Sequence, residues 1–472
     1  MMDSIRENGY SKMIQYYCFI LVIILSLLFL DIRLIAFLTV IFTWFMPVIL
    51  YPLLIIMPVI KNVAIFSQDF TMIKLLGMLY LILLIYRKRF QKIYEMMSNW
   101  HFLLIYFYVL FILLGIINFR LFSWELVSKL FSLNLASILK CNLFNIMKII
   151  FSLLLFIDFA NMKIDDLIKI LNNMSTVITI IVLPIFIYTM TLGFRSWASF
   201  RVIRATLQNT KPGEYSYLLS ILIPFLIYCI IYHQNIILKI IAITSLCEII
   251  YLVSVTISRG GALTLIFAVV MSIFFLQDNL KKVFIFFIMM AILIIPLILT
   301  GIINIDYWII RNKVMNTSIS KLTTHRFDFW IAGLKYSFSS IKNFIFGGGS
   351  SPLIERYINM TDCGKGNVIH NMYIGNLIKY GILGFTTISL IFGRIIYKFI
   401  KYRAILIKTH QVVFLVPFLS LLISLFAGLF VSWEFREILW ILTGMSAGIL
   451  YALGIFRKFN GEITMSNKER IK

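Results

Sequence analysis

His370, Arg259 and Arg326 each combine a side chain capable of chemistry with a setting that could use it. His370 ends a long polar stretch, follows Gly364 and Gly366, and precedes an apolar helix start at Asn371-Met372-Tyr373-Ile374. Histidine titrates near neutrality, so this one suits a base that accepts a proton from an attacking hydroxyl; a structural histidine at a membrane border is the alternative. Arg259 stands between Ser258 and Gly260-Gly261 at the head of an apolar run. Two glycines permit close approach of backbone and ligand, and a helix N-terminus favours an anion, so a bidentate phosphate contact fits. An arginine snorkelling to the interface is the alternative. Arg326 lies four residues before Trp330 in Thr324-His325-Arg326-Phe327-Asp328-Phe329-Trp330, where apolar positions continue through Ile331, Leu334, Phe338 and Ile341. That pattern predicts a helix with one apolar side, ending before a flexible Gly347-Gly348-Gly349.

More positive charge sits nearby in sequence. The stretch Asn304–His370 holds Arg311, Lys313, Lys321, Arg326, Lys335, Lys342, Arg356 and Lys365 against Asp306, Asp328, Glu355 and Asp362. The connection Arg195–Tyr215 holds Arg195, Arg201, Arg204 and Lys211 against Glu214.

The elements that must position these residues are apolar. Of 472 residues, 61% are hydrophobic and 13% charged, with a mean hydropathy of +0.96, whereas soluble proteins carry roughly 25% charged residues. Apolar runs fall at 14–30, 34–60, 71–86, 101–118, 143–160, 175–193, 217–233, 236–257, 262–276, 283–303, 380–400, 412–431 and 437–456. Each is near the length that crosses a bilayer as a helix, which predicts an all-α polytopic bundle of about 12–14 spans. The run 34–60, with Pro47, Pro52 and Pro58, reads as one kinked helix or as a helix followed by a surface segment. Domain organisation follows: 1–303 as N-terminal transmembrane helices with short loops, 304–371 as one large loop containing short helices, 372–456 as C-terminal transmembrane helices, and 457–472 as a tail.

Orientation comes from Lys and Arg beside short connections. Arg87, Lys88, Arg89 and Lys92; Lys281 and Lys282; Lys398, Lys401, Arg403 and Lys408; and Arg457, Lys458, Lys468 and Arg470 fall on one side of such a bundle. The positive-inside tendency makes that side cytoplasmic and puts the Arg259 turn, the 304–370 loop and the Arg195–Tyr215 connection outside. Outer connections usually lack Lys and Arg, so their shared excess points to an anion-binding outer face. The net charge of +23 is otherwise what anchors a membrane chain to anionic lipid; it does not call for nucleic acid.

Other features exclude more than they assign. Cys18, Cys141, Cys229, Cys247 and Cys363 suggest neither disulfide framework nor thiolate metal site. There is no Walker loop, nucleotide fingerprint or metal-ligand spacing, which argues against a pump with its own motor domain and implies no cofactor. The first apolar run lacks a small-residue cleavage site and reads as a retained segment. Glu248 and Lys239 share one apolar run without the spacing of a contact pair; a carboxylate there suggests a cavity or proton path, or simply a hydrogen-bonded residue between helices. Met162–Ile170 alternates apolar and charged positions, as expected of a helix lying along the cytoplasmic surface.

The stretches Ser258-Arg259-Gly260-Gly261-Ala262-Leu263, Arg326…Trp330…Gly347-Gly348-Gly349 and His370-Asn371-Met372-Tyr373-Ile374-Gly375-Asn376-Leu377-Ile378-Lys379-Tyr380-Gly381-Ile382-Leu383-Gly384 resemble the successive motifs of the bacterial O-antigen polymerase and O-antigen ligase superfamily. Asn209-Thr210-Lys211-Pro212-Gly213-Glu214-Tyr215 is similar to the turn that opens a helix there. The resemblance implies a metal-independent, inverting glycosyltransferase of the bacterial inner membrane whose site faces the periplasm. Its donor and acceptor would be oligosaccharides on undecaprenyl diphosphate, held among membrane lipid, with a chain-length regulator protein as candidate partner. The family's roles imply that His370 activates the acceptor hydroxyl and that Arg259 and Arg326 bind the diphosphate. Some ligases carry Glu where this chain has Asn371, and Glu is often expected where it has Lys379. These departures tilt the expectation toward polymerase, with ligase as the alternative. A lipid-linked oligosaccharide flippase is the reading from a different class.

Overall fold

The computed structural model describes residues 51–55, 64–67, 70–71, 80, 100–119, 135–192, 194–197, 202–205, 212–256, 258–277, 326–363, 368–431 and 437–455. The fold is all-α, because a backbone in hydrocarbon must satisfy its own hydrogen bonds and a helix does so within one segment. Among the described residues the only strands form two small antiparallel ribbons, β1 (Ala64–Ser67) with β2 (Phe70–Thr71) and β3 (Phe194–Trp197) with β4 (Val202–Ala205). Six helices there are long and apolar enough to cross a membrane, so the chain is a multi-pass membrane protein. The expected spans at 14–30 and 283–303 lie outside the described residues.

The chain divides into two compact units. The first takes in residues 1–89, 163–303 and 411–420. Its helices are α3 (Ile164–Leu192), α4 (Pro212–Ile221), α5 (Ile223–Tyr232), α6 (Ile236–Thr256) and α7 (Arg259–Leu276), preceded in the chain by α1 (Trp100–Asn118) and α2 (Leu135–Ala160) of the second unit. The apolar run 217–233 falls in Gly213–Tyr232, one of these six spans, which is broken into two helical pieces at Leu222. Pro224 cannot donate to the helix ladder, and α4 gives way to α5 just before it. Polar side chains tie the helices together: Tyr228 donates to Asn172 Oδ1 at 2.7 Å and Ser245 to the Thr179 carbonyl at 3.0 Å.

One expectation is corrected in this unit. The charged stretch 164–170 is not a separate surface helix; it forms the opening turns of α3, which runs unbroken to Leu192. Nothing between Ile164 and Pro184 interrupts the ladder, and Leu167 and Leu171 are buried while the charges of Asp165 and Asp166 fall on exposed positions.

The second unit comprises residues 90–162, 304–410 and 421–472. Besides α1 and α2 it contains α8 (Arg326–Phe338), α9 (Ile341–Phe346), α10 (Pro352–Cys363), α11 (Met372–Lys408) and α13 (Glu437–Ala452), while α12 (Leu415–Ala427) ends within it. Among its described residues the expected large loop thus contains three short helices. The following span starts earlier than the hydropathy suggested, at Met372, because Asn371 caps it. α13 lies against α2 at small residues: a Cβ on Gly444 would meet the Ser152 carbonyl, and one on Gly448 would sit 2.6 Å from Phe159 Cβ. Lys148 and Glu437 close that pair of helices with an ion pair of 2.9 Å. α1 is fixed to α11 by Tyr108, whose hydroxyl donates to Asn376 Oδ1 at 2.7 Å.

Candidate active site

The sequence between Phe346 and Lys379 folds into a support for His370, and the support begins with a broken helix. Inside α11, Gly381 leaves helical geometry at φ 62°. Just before that break, the Ile378 and Lys379 carbonyls take hydrogen-bond donors from outside the helix. The glycine run supplies them: Gly348 N–H donates to Ile378 O at 2.7 Å and Gly349 N–H to Lys379 O at 3.1 Å. Glycine is required there on two grounds. Gly347 and Gly349 have φ 73° and 112°, and added Cβ atoms would strike the Lys379 and Phe119 backbone. Asn118 then donates to Gly347 O at 2.6 Å, while Ser350 exchanges hydrogen bonds with Asn142 and approaches the Tyr380 hydroxyl. The expectation of a flexible stretch at 347–349 is therefore corrected: this run is buried and bonded at every step, a latch between α9 and the kink. The second glycine pair, Gly364 and Gly366, lies outside the described residues.

Below the site, Phe119, Phe329, Ala332, Ile354, Ile358, Ile369 and Ile378 form one buried cluster. It draws on the end of α1, on α8, α10 and α11, and on Ile369 itself. Each large side chain buried this way contributes roughly 1.5–3 kcal/mol, enough to hold the short helices on α11. Gly333 lets α8 approach closely, since a Cβ there would sit 2.7 Å from Ile378 and 2.8 Å from Ile369.

Ile369 is held at both ends of its backbone. Its N–H donates to Glu355 Oε2 at 2.9 Å, and its carbonyl accepts from Trp330 Nε1 at 3.2 Å. The other oxygen of Glu355 meets Lys379 Nζ at 2.6 Å, with side-chain exposures of 1% for Glu355 and 4% for Lys379. Two charges so shielded from water are stable only as a pair.

His370 follows directly, half-buried and at φ 53°, a left-handed backbone uncommon for a residue other than glycine. The surrounding contacts fix it there. Asn371 caps α11, accepting from the N–H groups of Tyr373 and Ile374 at 3.0 and 3.1 Å. Its amide donates to Leu429 O at 3.2 Å, and Met372 N–H donates to Gly428 O at 2.8 Å. Arg326 Nη1 donates to the next carbonyl, Phe430 O, at 2.8 Å. One turn after α12 thus collects three successive carbonyl bonds and brings Arg326 beside the His370 segment.

Of the residues expected to act, the second unit therefore unites His370 and Arg326. Arg259, in the first unit, opens α7, where Ser258 caps the helix by accepting from Gly261 N–H at 3.1 Å. The reason for Gly261 is corrected: the space its missing Cβ leaves is filled by Ser216 of α4, so it serves helix packing and not ligand approach. Arg195 and Arg204 are directly paired in register across the β3–β4 ribbon; Arg201 lies outside the described residues. Glu248, on α6, is buried.

Sequence reasoning passed over Glu355 as one loop charge among several. A usable signal existed. Ile354, Glu355, Ile358 and Asn359 occupy one face of α10, so the carboxylate falls among positions that must be buried. Lys379 stood out only as a departure from the family pattern, and its partner was not foreseen.

Two cavities flank this framework. One of about 400 Å³ is lined by Asp328, Phe329, Ile331, Ala332, Lys335, Asp362 and Cys363 of α8 and α10. Another of about 350 Å³ lies among Phe111, Leu114, Gly115, Ile117, Asn118, Lys342, Phe346 and Tyr380. Burial pushes the Lys342 ammonium below the ordinary lysine range. Among the described residues no group of His, Cys, Asp and Glu is arranged to hold a metal ion.

No curated protein matches the chain. Residues 246–389, which contain Arg259, Arg326, Glu355, His370 and Lys379, match the family model described as O-antigen ligase, and this match supports the chain's place in the O-antigen polymerase and ligase superfamily.

Proposed function

We propose that this protein is an O-antigen polymerase of the bacterial inner membrane, transferring a growing glycan from undecaprenyl diphosphate to an incoming lipid-linked repeat unit at the periplasmic face. The acceptor hydroxyl attacks the anomeric carbon while His370 takes its proton. The bond from that carbon to the diphosphate oxygen breaks, and the electron pair leaves with undecaprenyl diphosphate. Arg326 holds the departing charge, a role suited to the planar, permanently charged guanidinium, and Arg259 at the head of α7 offers an anion contact within the first unit. Attack opposite the leaving group inverts the anomeric centre. Arg195, Arg201 and Arg204 contribute positive charge that draws in the anionic donor.

The observation that carries this reading is that Arg326 and Asn371, the residue after His370, are bonded to neighbouring carbonyls of one turn while Ile369, the residue before it, is clamped at both ends. A base and a diphosphate contact on one rigid support are what a transfer needing no cofactor demands. The cavity between α8 and α10 suits a saccharide, since Asp328 and Asp362 can accept from hydroxyls while Phe329 and Ala332 offer an apolar floor. The cavity beside Lys342 is walled largely by apolar side chains, as a lipid chain near a phosphate requires.

Transfer of finished polysaccharide to a lipid A-core acceptor is the second reading, favoured by the description of the matched family. A deletion strain separates the two. Loss of a polymerase leaves single repeats on the core, whereas loss of a ligase leaves none. Purified protein in liposomes tests the shared chemistry: His370→Ala should slow transfer by about 10²–10⁴-fold, the usual worth of a general base. Transfer at the wild-type rate by folded His370→Ala would remove His370 from the reaction. Substrate crossing the bilayer with no transfer by wild type would point to a flippase.

A further inference from the structure

We propose that Glu355 and Lys379 are positioning residues for the transfer, with the Glu355 carboxylate holding His370 in place through the Ile369 peptide; this rests on the glycosyltransferase reading above. The geometry is specific. Glu355 uses its two oxygens for two tasks: Oε1 meets Lys379 Nζ at 2.6 Å, and Oε2 accepts from Ile369 N–H at 2.9 Å. Lys379 is on α11, two helical turns into the element that His370 precedes, so the pair joins both ends of the same segment through α10. Trp330 holds the Ile369 carbonyl at 3.2 Å from the other side. Rotation about the His370 backbone is thereby limited just where the chain takes a left-handed turn, at φ 53°. A residue in that region keeps its conformation only while its neighbours over-determine it.

A buried ion pair alone does not require this role, because an apolar pair of similar volume often supports a fold equally well. The placement of the acceptor oxygen on Ile369 N–H is what an apolar pair could not reproduce. Neither Glu355 nor Lys379 needs to touch substrate. Glu355 acts on the reaction through the backbone, and Lys379 orients Glu355.

Two double variants separate these effects. In Glu355→Gln/Lys379→Met the ion pair is gone, yet the amide oxygen can still accept from Ile369 N–H. In Glu355→Leu/Lys379→Met the pair is replaced by apolar side chains and the acceptor is lost. Both avoid a lone buried charge, and both are checked for monodispersity and thermal unfolding before assay. With undecaprenyl-diphosphate-linked repeat units in proteoliposomes, the Leu/Met protein should lose about 10–100-fold in kcat with donor KM within about threefold, as expected for a base misplaced by a fraction of an ångström to one ångström. The Gln/Met protein should stay within about fivefold of wild type, since its acceptor remains. Equal kcat in the two doubles, whether high or low, would overturn the positioning role while leaving the glycosyltransferase reading intact. Absence of transfer by wild type, or full activity of His370→Ala, would overturn that reading and this role with it. A Leu/Met protein that cannot be purified folded is replaced by Ile369→Pro, which removes the same N–H and leaves the ion pair; wild-type kcat there would equally overturn the proposal.

Discussion

Arg326 and Asn371 bond to neighbouring carbonyls of one turn, Phe430 O at 2.8 Å and Leu429 O at 3.2 Å. The first residue of α8 and the cap of α11 are thus held against the same three residues of backbone. Arg326 spends one N–H on that anchor and keeps others for an anion, because guanidinium has five donors in a fixed fork.

Lysine at position 326 would retain charge but lose the fork. Arg326→Lys should raise the donor KM by about tenfold or more, with a smaller change in kcat, since a bidentate contact is worth over about 1.4 kcal/mol. Steady-state kinetics with lipid-linked repeats checks this, and an unchanged KM would confine Arg326 to structural anchoring.

At His370, stability and activity should separate. His370→Gly removes the penalty of the left-handed φ and should unfold at or above the wild-type temperature, whereas His370→Ala should fall below the Gly protein by about 1 kcal/mol. Both should transfer glycan about 10²–10⁴-fold more slowly than wild type. Thermal unfolding in detergent, alongside the transfer assay, reads both effects.

The glycine latch gives an internal control. Gly381→Ala would drive a Cβ into the Ile345 carbonyl, and Gly347→Ala would place one 2.5 Å from the Lys379 carbonyl carbon. Each should cost more than about 1 kcal/mol. Gly393, exposed within α11 with open space around it, should tolerate alanine and gain about 0.5–1 kcal/mol. Similar melting shifts for all three would contradict the latch.

Lys379→Met alone leaves the Glu355 carboxylate buried and unpaired, a loss of about 3–5 kcal/mol that the Leu/Met double should largely restore. Equilibrium unfolding of the single and the double is the comparison, and strict additivity would argue that the two groups do not interact.

Orientation can be read by chemistry on intact cells. Lys335→Cys, at an exposed position of α8, should react with a membrane-impermeant maleimide added to spheroplasts. Lys282→Cys should react only after permeabilisation. The reverse pattern would place the site on the cytoplasmic side.

Much of the local structure was legible because its causes are local. Apolar runs of spanning length became helices at 100–118, 236–256 and 259–276, and caps at Ser258 and Asn371 set where α7 and α11 begin. The helix predicted around Arg326–Trp330 is α8, and Pro212 opens α4. The glycines misled because their composition is the same for a flexible stretch and for a latch. Burial decides between them, and the contacts that bury Gly347–Gly349 come from Phe119, Ile378 and Lys379, all remote in the chain.

The sequence by itself determined a membrane-spanning helical protein and the approximate places of its helices, and it singled out His370, Arg259 and Arg326 as candidates for acid–base and anion chemistry. Hydropathy, capping and side-chain type act over a few residues and need no partner. Only the tertiary structure decided that Glu355 faces Lys379, that Ile369 is clamped from both sides, and that Arg326 joins the His370 segment on the Gly428–Phe430 turn. Burying an ion pair or a backbone hydrogen bond is favourable only when donor and acceptor arrive together, and their meeting depends on the packing of α8, α10 and α11, which no single stretch encodes.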